Sequence, residues 1–417
     1  MVKSSSVLIK ALVVILIFIA TEFMGSIRLG AFTIRHLAVI LMVLFLIFNK
    51  NSYSLCKDHI FRPLLLYFIF VAFLGLLNDL YEFNGIELVF AYFLPSAVIT
   101  LFILNFVKDL TTLKYILYGI LVLVILDSIL TILQGTNHPL GWIITSLIHS
   151  SELVAENKDL MDSYSGTSLG LSIASGLLGS VVVNGYFLAS FGLLFVLPIL
   201  GKITIRNIIA SLSFFLIVLI ALYYNQQRMA FYAFIFLSTI MIGYIIKVKG
   251  GTLNTCIITC IIVFICALLF NNFSNIELGR LAEVDSSVTN ERNSNSIEYF
   301  SDFLWKDNNL FLGNSVAYRK LHNGSTPHNM FAETTLYGGI FGLLIYIVFL
   351  CKLFNSMFCQ FKKRNCFIIL PICCICGIML VALTHSSGFH TGFTLGFYAY
   401  SFFVIFKRYN LVLDKTY

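Results

Sequence analysis

The sequence predicts an all-α polytopic membrane protein that crosses the bilayer about twelve times. Hydrophobic residues make up 59% of the 417 residues, charged residues make up only 11%, and the mean hydropathy is +0.92. A soluble globular domain cannot bury that much apolar surface. Apolar runs long enough to cross a hydrocarbon layer of roughly 30 Å recur along the whole chain, which favours helices over barrel strands.

The apolar runs define the predicted membrane spans and divide the chain into five regions. The spans are 8–27, 33–48, 62–79, 86–107, 114–134, 181–200, 206–224, 229–246, 255–271, 333–354, 366–384 and 391–407. The regions are five N-terminal spans over 1–134, a loop over 135–180, four spans over 181–271, a large loop or cap over 272–332, and three spans with a tail over 333–417. Loops as long as the second and fourth regions are seldom mere connectors.

The distribution of positive charge predicts the orientation of the spans. Most of the 27 lysine and arginine residues fall in one alternating set of loops, which also contains both termini. Positive residues are retained on the cytoplasmic side of short loops, so both termini are predicted to be cytoplasmic and both long loops to lie outside. The net charge of +7 then reflects topology and gives little reason to expect a nucleic-acid partner.

Cysteine positions limit the chemistry of the outer side. All ten cysteines lie in predicted spans or on the cytoplasmic side, so a disulfide-linked outer domain is excluded. The cluster Cys373-Cys374-Ile375-Cys376 lies inside a predicted helix without histidines at ligand spacing, which favours apolar packing over metal binding. In the large loop, residues 297–305 show apolar residues at helical spacing and predict a short amphipathic helix.

Several polar residues fall where the membrane should reject them. Asp127 lies near the outer end of the fifth span and is expected to face a polar cavity, whereas Glu22 is expected either to face a cavity or to reach the interface. Arg228 follows Gln226-Gln227 in a short outer turn, where a guanidinium is suited to binding phosphate. The alternative for Arg228 is an anchor to lipid headgroups.

The large loop supplies further cations and ends at a histidine on the membrane surface. Arg280 and Arg292 either converge on an anionic ligand or pair with carboxylates of the same loop. His328 follows Pro327 at the start of the tenth span, and Glu333 lies five residues later. Imidazoles titrate near neutral pH, so His328 can take a proton from a hydroxyl group, although a lone histidine is more often structural.

The motif around this histidine resembles a known family. His328-Asn329, followed after nine residues by Gly339-Ile340-Phe341-Gly342, resembles the signature of the O-antigen ligase and polymerase superfamily of bacterial envelope enzymes. Gln227-Arg228 after a middle helix and a large loop before the histidine helix fit the same pattern. Arg292 and the stretch 308–314 also resemble it, but Ser315 replaces the second glycine, a proline is missing, and many members carry Ser or Thr where this chain has Gln227.

The resemblance implies a metal-independent inverting glycosyltransferase, similar to membrane glycosyltransferases of the GT-C type, in the bacterial inner membrane with a periplasmic active site. The donor would be an undecaprenyl-diphosphate-linked oligosaccharide held beside membrane lipid, with no cofactor and with a chain-length regulator protein as a further partner. By this resemblance, His328 activates the acceptor, and Glu333 orients His328 or binds sugar hydroxyls. The diphosphate is bound by Arg228, Arg292 and Arg280. Gln227 and Asn329 contact the substrate.

Three functions remain open, and the first is favoured. A polymerase joins lipid-linked repeat units to one another, whereas a ligase transfers the lipid-linked glycan to the lipopolysaccharide core. Neither long loop is particularly basic, which favours the polymerase because a phosphorylated core acceptor calls for more cations. A flippase or transporter of the same lipid-linked sugar is the third reading, and the absence of an internal repeat disfavours it. No Asp-x-Asp motif occurs, which disfavours a nucleotide-sugar donor.

Overall fold

The computed structural model describes the following residues: 2–24, 27–29, 32–48, 54–78, 89, 93–149, 174–201, 203–249, 305, 309–315, 317–318, 327, 329–362, 366–383 and 394–413. The predicted span at 255–271 and almost all of the predicted amphipathic helix at 297–305 lie outside them.

Helices form nearly all of the described chain. The N-terminal helices are α1 (Val2–Phe18, continued by a π-helical turn at Ile19–Phe23), α2 (Ile34–Phe48), α3 (Phe61–Asn78), α4 (Leu94–Phe106), α5 (Leu110–Gly135) and α6 (Pro139–Ile148). The later helices are α7 (Val181–Phe191, continued by a 3₁₀ turn at Gly192–Val196), α8 (Leu197–Gly201), α9 (Ile205–Asn225), α10 (Arg228–Lys249), α11 (Asn309–Leu312), α12 (Met330–Phe361), α13 (Ile369–Ala382) and α14 (Thr394–Leu413). Strands β1 (Arg28–Leu29) and β2 (Phe32–Thr33) pair as a short antiparallel hairpin.

The helices are those of a multi-pass membrane protein. Within the described residues, six helical segments are long and apolar enough to cross a membrane, and shorter apolar helices accompany them. Large apolar side chains on α2 point outward, among them Leu41, Ile47 and Phe48, which is 83% exposed. Such a surface is stable only in lipid, so the predicted all-α membrane fold is confirmed.

The predicted loop over 135–180 contains a short helix and a buried stretch. The region 135–180 contains α6, a ten-residue helix, and residues 174–180 turn back into the bundle, where Ala174, Ser175 and Gly176 are buried. Hydropathy analysis treats this stretch as an outer loop because it is rich in glycine and serine. The structure instead uses its small residues as a non-helical segment, called here the inserted segment (residues 174–180).

Aromatic side chains fill the centre of the bundle. Phe18 packs against Tyr398 and Phe191 with ring centroids 4.7 and 5.7 Å apart, both in edge-to-face geometry. Phe187 joins the cluster from α7, 5.4 Å from Phe23. Lipid is as apolar as these rings, so close packing and not exclusion of water holds the helices together here.

Basic side chains mark one end of the bundle, called here the basic end. The Lys249 ammonium group donates to the carbonyl groups of Ile199 and Gly201 at 3.1 and 2.8 Å, and Arg408 donates to the Leu104 carbonyl at 3.2 Å. Cations beside helix C-termini are stabilised by the helix dipole. These contacts gather the C-terminal ends of α4, α8, α10 and α14, as expected if alternate helix ends share one side of the membrane.

The orientation predicted from the charges can be tested by labelling. We expect a Thr136→Cys variant to react with a membrane-impermeant maleimide in sealed right-side-out vesicles, because Thr136 is exposed at the end opposite the basic end. The matched variant Arg206→Cys, exposed at the start of α9, should react only after permeabilisation. In both cases, labelling is counted only above that of the unsubstituted protein. If Arg206→Cys reacts in sealed vesicles and Thr136→Cys reacts only after permeabilisation, the topology is inverted.

Candidate functional site

The structure describes four of the seven residues that the sequence nominates. Gln227 and Arg228 lie in the turn between α9 and α10, and Asn329 and Glu333 lie at the start of α12. Since α10 and α12 both begin at the end opposite the basic end, the two pairs lie on the same side of the bundle. His328, Arg280 and Arg292 lie outside the described residues.

Helix α12 is broken at Gly339. This glycine has φ +58° and ψ −163°, a backbone conformation that side-chain-bearing residues rarely adopt. A Cβ atom at Gly339 would overlap the carbonyl of Phe311, and one at Gly313, whose φ is +70°, would lie 2.9 Å from the Gly339 nitrogen. The stretch after α11 thus docks backbone to backbone into the break in α12. Two separate stretches of the motif described above meet at this junction.

Asn329 has a structural role at the start of α12. Its side-chain oxygen accepts hydrogen bonds from the backbone N–H groups of Phe331 and Ala332 at 2.9 and 3.3 Å. Its amide nitrogen donates to the Leu383 carbonyl at the end of α13, at 3.0 Å. These contacts engage both ends of the amide and account for an N-cap residue. A contact of Asn329 with substrate stays a prediction.

Glu333 is buried where α12 packs against α3. Its side chain is 2% exposed and lies within electrostatic range of the Tyr67 phenol on α3. The Tyr67 ring packs on the α12 glycines, and Cβ atoms at Gly338 and Gly342 would lie 3.3 and 3.2 Å from it. Small residues at 338 and 342 therefore let α12 approach α3 closely enough to bury Glu333.

The turn before α10 presents one buried amide and one half-exposed cation. Gln226 adopts the left-handed conformation, with φ +58°, and ends α9 by bonding the Leu222 carbonyl. Gln227 is 5% exposed and lies over Gly185 on α7, where a Cβ atom would overlap its side-chain oxygen. Arg228, half-buried, is the first residue of α10. Gln227 thus faces the bundle, and the positive end of the α10 dipole adds to the charge of Arg228.

The inserted segment is held by side chains from α5. The Gln134 side-chain oxygen accepts the N–H groups of Ser175 and Gly176 at 3.1 and 2.9 Å, and its amide nitrogen donates to Thr145 on α6 at 2.6 Å. Asp127 accepts the N–H group of Leu177 at 2.7 Å. Asp127 therefore faces polar groups inside the bundle, as its position in the sequence predicts.

Side chains from other elements also contact the inserted segment. The Asn225 amide nitrogen donates to the carbonyls of Ala174 and Val181, both at 3.0 Å. The Leu177 carbonyl contacts His149 Nε2 at 2.6 Å. Sequence reasoning did not nominate Gln134 or Asn225, because an amide near the end of an apolar helix carries no signal of the distant backbone that it serves.

Glu22 is also turned inward. It lies in the π-helical turn, is 9% exposed and accepts a hydrogen bond from the Thr394 hydroxyl on α14. Arg35 donates to the neighbouring Thr21 carbonyl at 3.1 and 2.9 Å and lies within electrostatic range of Glu22. Of the two readings that the sequence left open for Glu22, the inward-facing one is therefore correct.

Comparison with known proteins adds no assignment. No family model matches the chain. No curated protein matches it at a significant level. The family resemblance given above therefore rests on short motifs and on their position in the topology.

The break in α12 should be intolerant of a side chain. We expect Gly339→Ala to prevent folding or to lower the melting temperature in detergent sharply, because the new methyl group would meet the Phe311 carbonyl. The control is Gly243→Ala in α10, where nothing lies within 4 Å and alanine should stabilise the helix by up to about 1 kcal/mol. Equal melting temperatures for the two variants would argue against the docked break.

Proposed function

We propose that this protein is an O-antigen polymerase, an inverting glycosyltransferase that joins undecaprenyl-diphosphate-linked oligosaccharide repeat units at the periplasmic face of a bacterial inner membrane. The main support is the junction at Gly339. The stretch after α11 and the helix that follows His328 are both parts of the family motif, and they are docked together by glycines that a close backbone contact requires. If the motif residues only faced lipid, this close backbone contact would not be needed.

The junction matters because it fixes the first turn of α12. Asn329 caps that turn, Glu333 lies one turn further on, and His328 directly precedes the cap in the sequence. The N-terminus of a helix attracts negative charge, so the first turn of α12 is suited to a substrate that carries a diphosphate. In this proposal His328 accepts the proton of the acceptor hydroxyl as that oxygen attacks the anomeric carbon.

The leaving group defines the role of the arginines. As the new glycosidic bond forms, the bond from the anomeric carbon to the diphosphate oxygen breaks, and the diphosphate carries away the electron pair. Arginine donors stabilise that developing charge, and Arg228 at the N-terminus of α10 has the position for it. We assign Arg280 and Arg292 to the same diphosphate on the strength of the motif alone. Glu333 would orient His328 or bind sugar hydroxyls.

A second function has a specific observation in its favour. The inserted segment is non-helical and packs against Asp127 inside the bundle, and transporters bind their substrates and coupling ions at such breaks. A flippase of the same lipid-linked glycan is therefore the competing proposal. A ligase would use the same site with a lipopolysaccharide-core acceptor.

Purified protein distinguishes these proposals. Mixed in detergent with lipid-linked repeat units, a polymerase should produce a ladder of longer lipid-linked glycans without added metal or nucleotide sugar. A ligase should form product only when lipopolysaccharide core is also supplied. Translocation in sealed vesicles without a ladder in detergent would contradict the polymerase and support the flippase.

Replacing the proposed base tests the site. We expect His328→Ala to lower the rate of ladder formation by about 10²–10⁴-fold, the usual contribution of a general base. The matched control is His59→Ala, because His59 is exposed at the basic end of the bundle. This variant should form the glycan ladder at the rate of the unsubstituted protein. Full activity of the His328 variant, with an unchanged melting temperature, would refute the base assignment.

A further inference from the structure

Four buried oxygen atoms near the inserted segment have no hydrogen-bond partner within the described part of the chain. They are Asp127 Oδ2, Asn184 Oδ1, Asn225 Oδ1 and Gln227 Oε1. All four side chains are at least nine-tenths buried. Carboxylate and amide oxygens can only accept hydrogen bonds, and buried acceptors are normally satisfied. The amide nitrogen of Gln227 is unpartnered there as well, whereas Asp127, Asn184 and Asn225 each have only an oxygen atom unsatisfied.

The four side chains meet at two points, Gly176 in the inserted segment and Gly185 on α7. At Gly176, a Cβ atom would touch Asp127 Oδ1 and lie 2.6 Å from Asn184 Nδ2. At Gly185, a Cβ atom would overlap Gln227 Oε1 and lie 3.1 Å from Asn225 Oδ1. Asn225 links the two points, because its amide nitrogen donates to the carbonyls of Ala174 in the inserted segment and Val181 at the start of α7. The four side chains therefore border one polar region.

Other hydrogen bonds fix which way the asparagine side chains point. Asn184 Nδ2 donates to Thr131 Oγ1 at 3.0 Å, and Asn225 Nδ2 donates to the carbonyls of Ala174 and Val181. Their N–H groups are therefore used, and their oxygens are what remains to face the region. The hydroxyl groups of Ser128 and Ser175 are also buried without a partner among the described residues and add two oxygen atoms.

The charge of this region is uncompensated. In the described part of the chain no cationic side chain pairs with Asp127, whose carboxylate accepts a hydrogen bond from the Leu177 N–H group. The ionisable groups around the inserted segment are His149, which contacts the Leu177 carbonyl, and Glu22, whose π-helical turn packs against residues 176–178. Arg35 is engaged at Thr21 and lies within range of Glu22.

We propose that Asp127, Asn184, Asn225 and Gln227 form a binding site for a monovalent alkali-metal cation of the size of Na⁺. One carboxylate balances one positive charge, whereas a divalent ion bound here would leave excess charge buried. A hard cation takes carboxylate, amide and hydroxyl oxygens as ligands. A proton on Asp127 would remove the charge and supply one O–H donor, which would still leave two of the three amide oxygens without a partner. The cation ties α5, α7 and the turn before α10 to the inserted segment.

The test uses the full-length protein with the substitution Trp305→Phe. Trp142 on α6, next to the inserted segment, is then the single tryptophan of the protein. NaCl replaces choline chloride at constant ionic strength and pH. We expect a saturable change in Trp142 fluorescence and a saturable rise in melting temperature, because a ligand that binds only the folded state stabilises it. Asp127→Asn, which keeps the side-chain volume and the acceptor for Leu177, should lose both effects.

A matched pair of asparagine variants locates the site. Asn184→Ala should weaken the sodium response, whereas Asn105→Ala, a buried asparagine on α4 that donates to the Leu101 carbonyl, should retain it. A protein that responds equally to sodium and choline, or to pH alone, would overturn the proposal. The sodium titration of the Trp305→Phe protein keeps Asp127 intact, so it tests the cation site even if the Asp127 and Asn184 variants fail to fold. Its result does not depend on whether the protein forms the glycan ladder.

Discussion

The structure depends on pairing the backbone of the inserted segment inside an apolar bundle. Lipid offers no hydrogen bonds, so every N–H and C=O group of a non-helical stretch at membrane depth needs a partner from the protein. Gln134 supplies contacts to both Ser175 and Gly176, Asp127 supplies the contact to Leu177, and Asn225 supplies the contact to Ala174. Polar side chains that look misplaced in apolar helices are therefore structural requirements of this segment.

A second break follows the same rule by a different route. At Gly339 the helix is interrupted, and a glycine-bearing stretch of backbone packs directly against the break. Both breaks lie towards the end opposite the basic end, and each lies beside a pair of proposed substrate groups. The inserted segment packs on the turn that carries Gln227 and Arg228, and the Gly339 break positions Asn329 and Glu333. The packing that each break requires therefore also restricts where the neighbouring substrate groups can lie.

Hydropathy predicted the helices well and the polar interior poorly. Helices α9 and α10 begin and end within a few residues of the predicted spans, since length and apolarity alone decide whether a segment lies in lipid. The insertion of residues 174–180 was missed because it depends on side chains about forty residues away, such as Gln134. The burial of Glu333 was not predicted, because the sequence does not reveal that Gly338 and Gly342 let α12 pack closely on Tyr67.

The most direct measurement of the central claim is the thermal stability in detergent of Gln134→Met. Methionine fills a similar volume but leaves the Ser175 and Gly176 N–H groups buried without acceptors, each at about 1–3 kcal/mol. We expect a loss of several kcal/mol, while the exposed Thr136→Val control should change stability by no more than about 0.5 kcal/mol. A Gln134→Met protein that melts with the unsubstituted chain would contradict the view that side chains hold the inserted segment in the bundle.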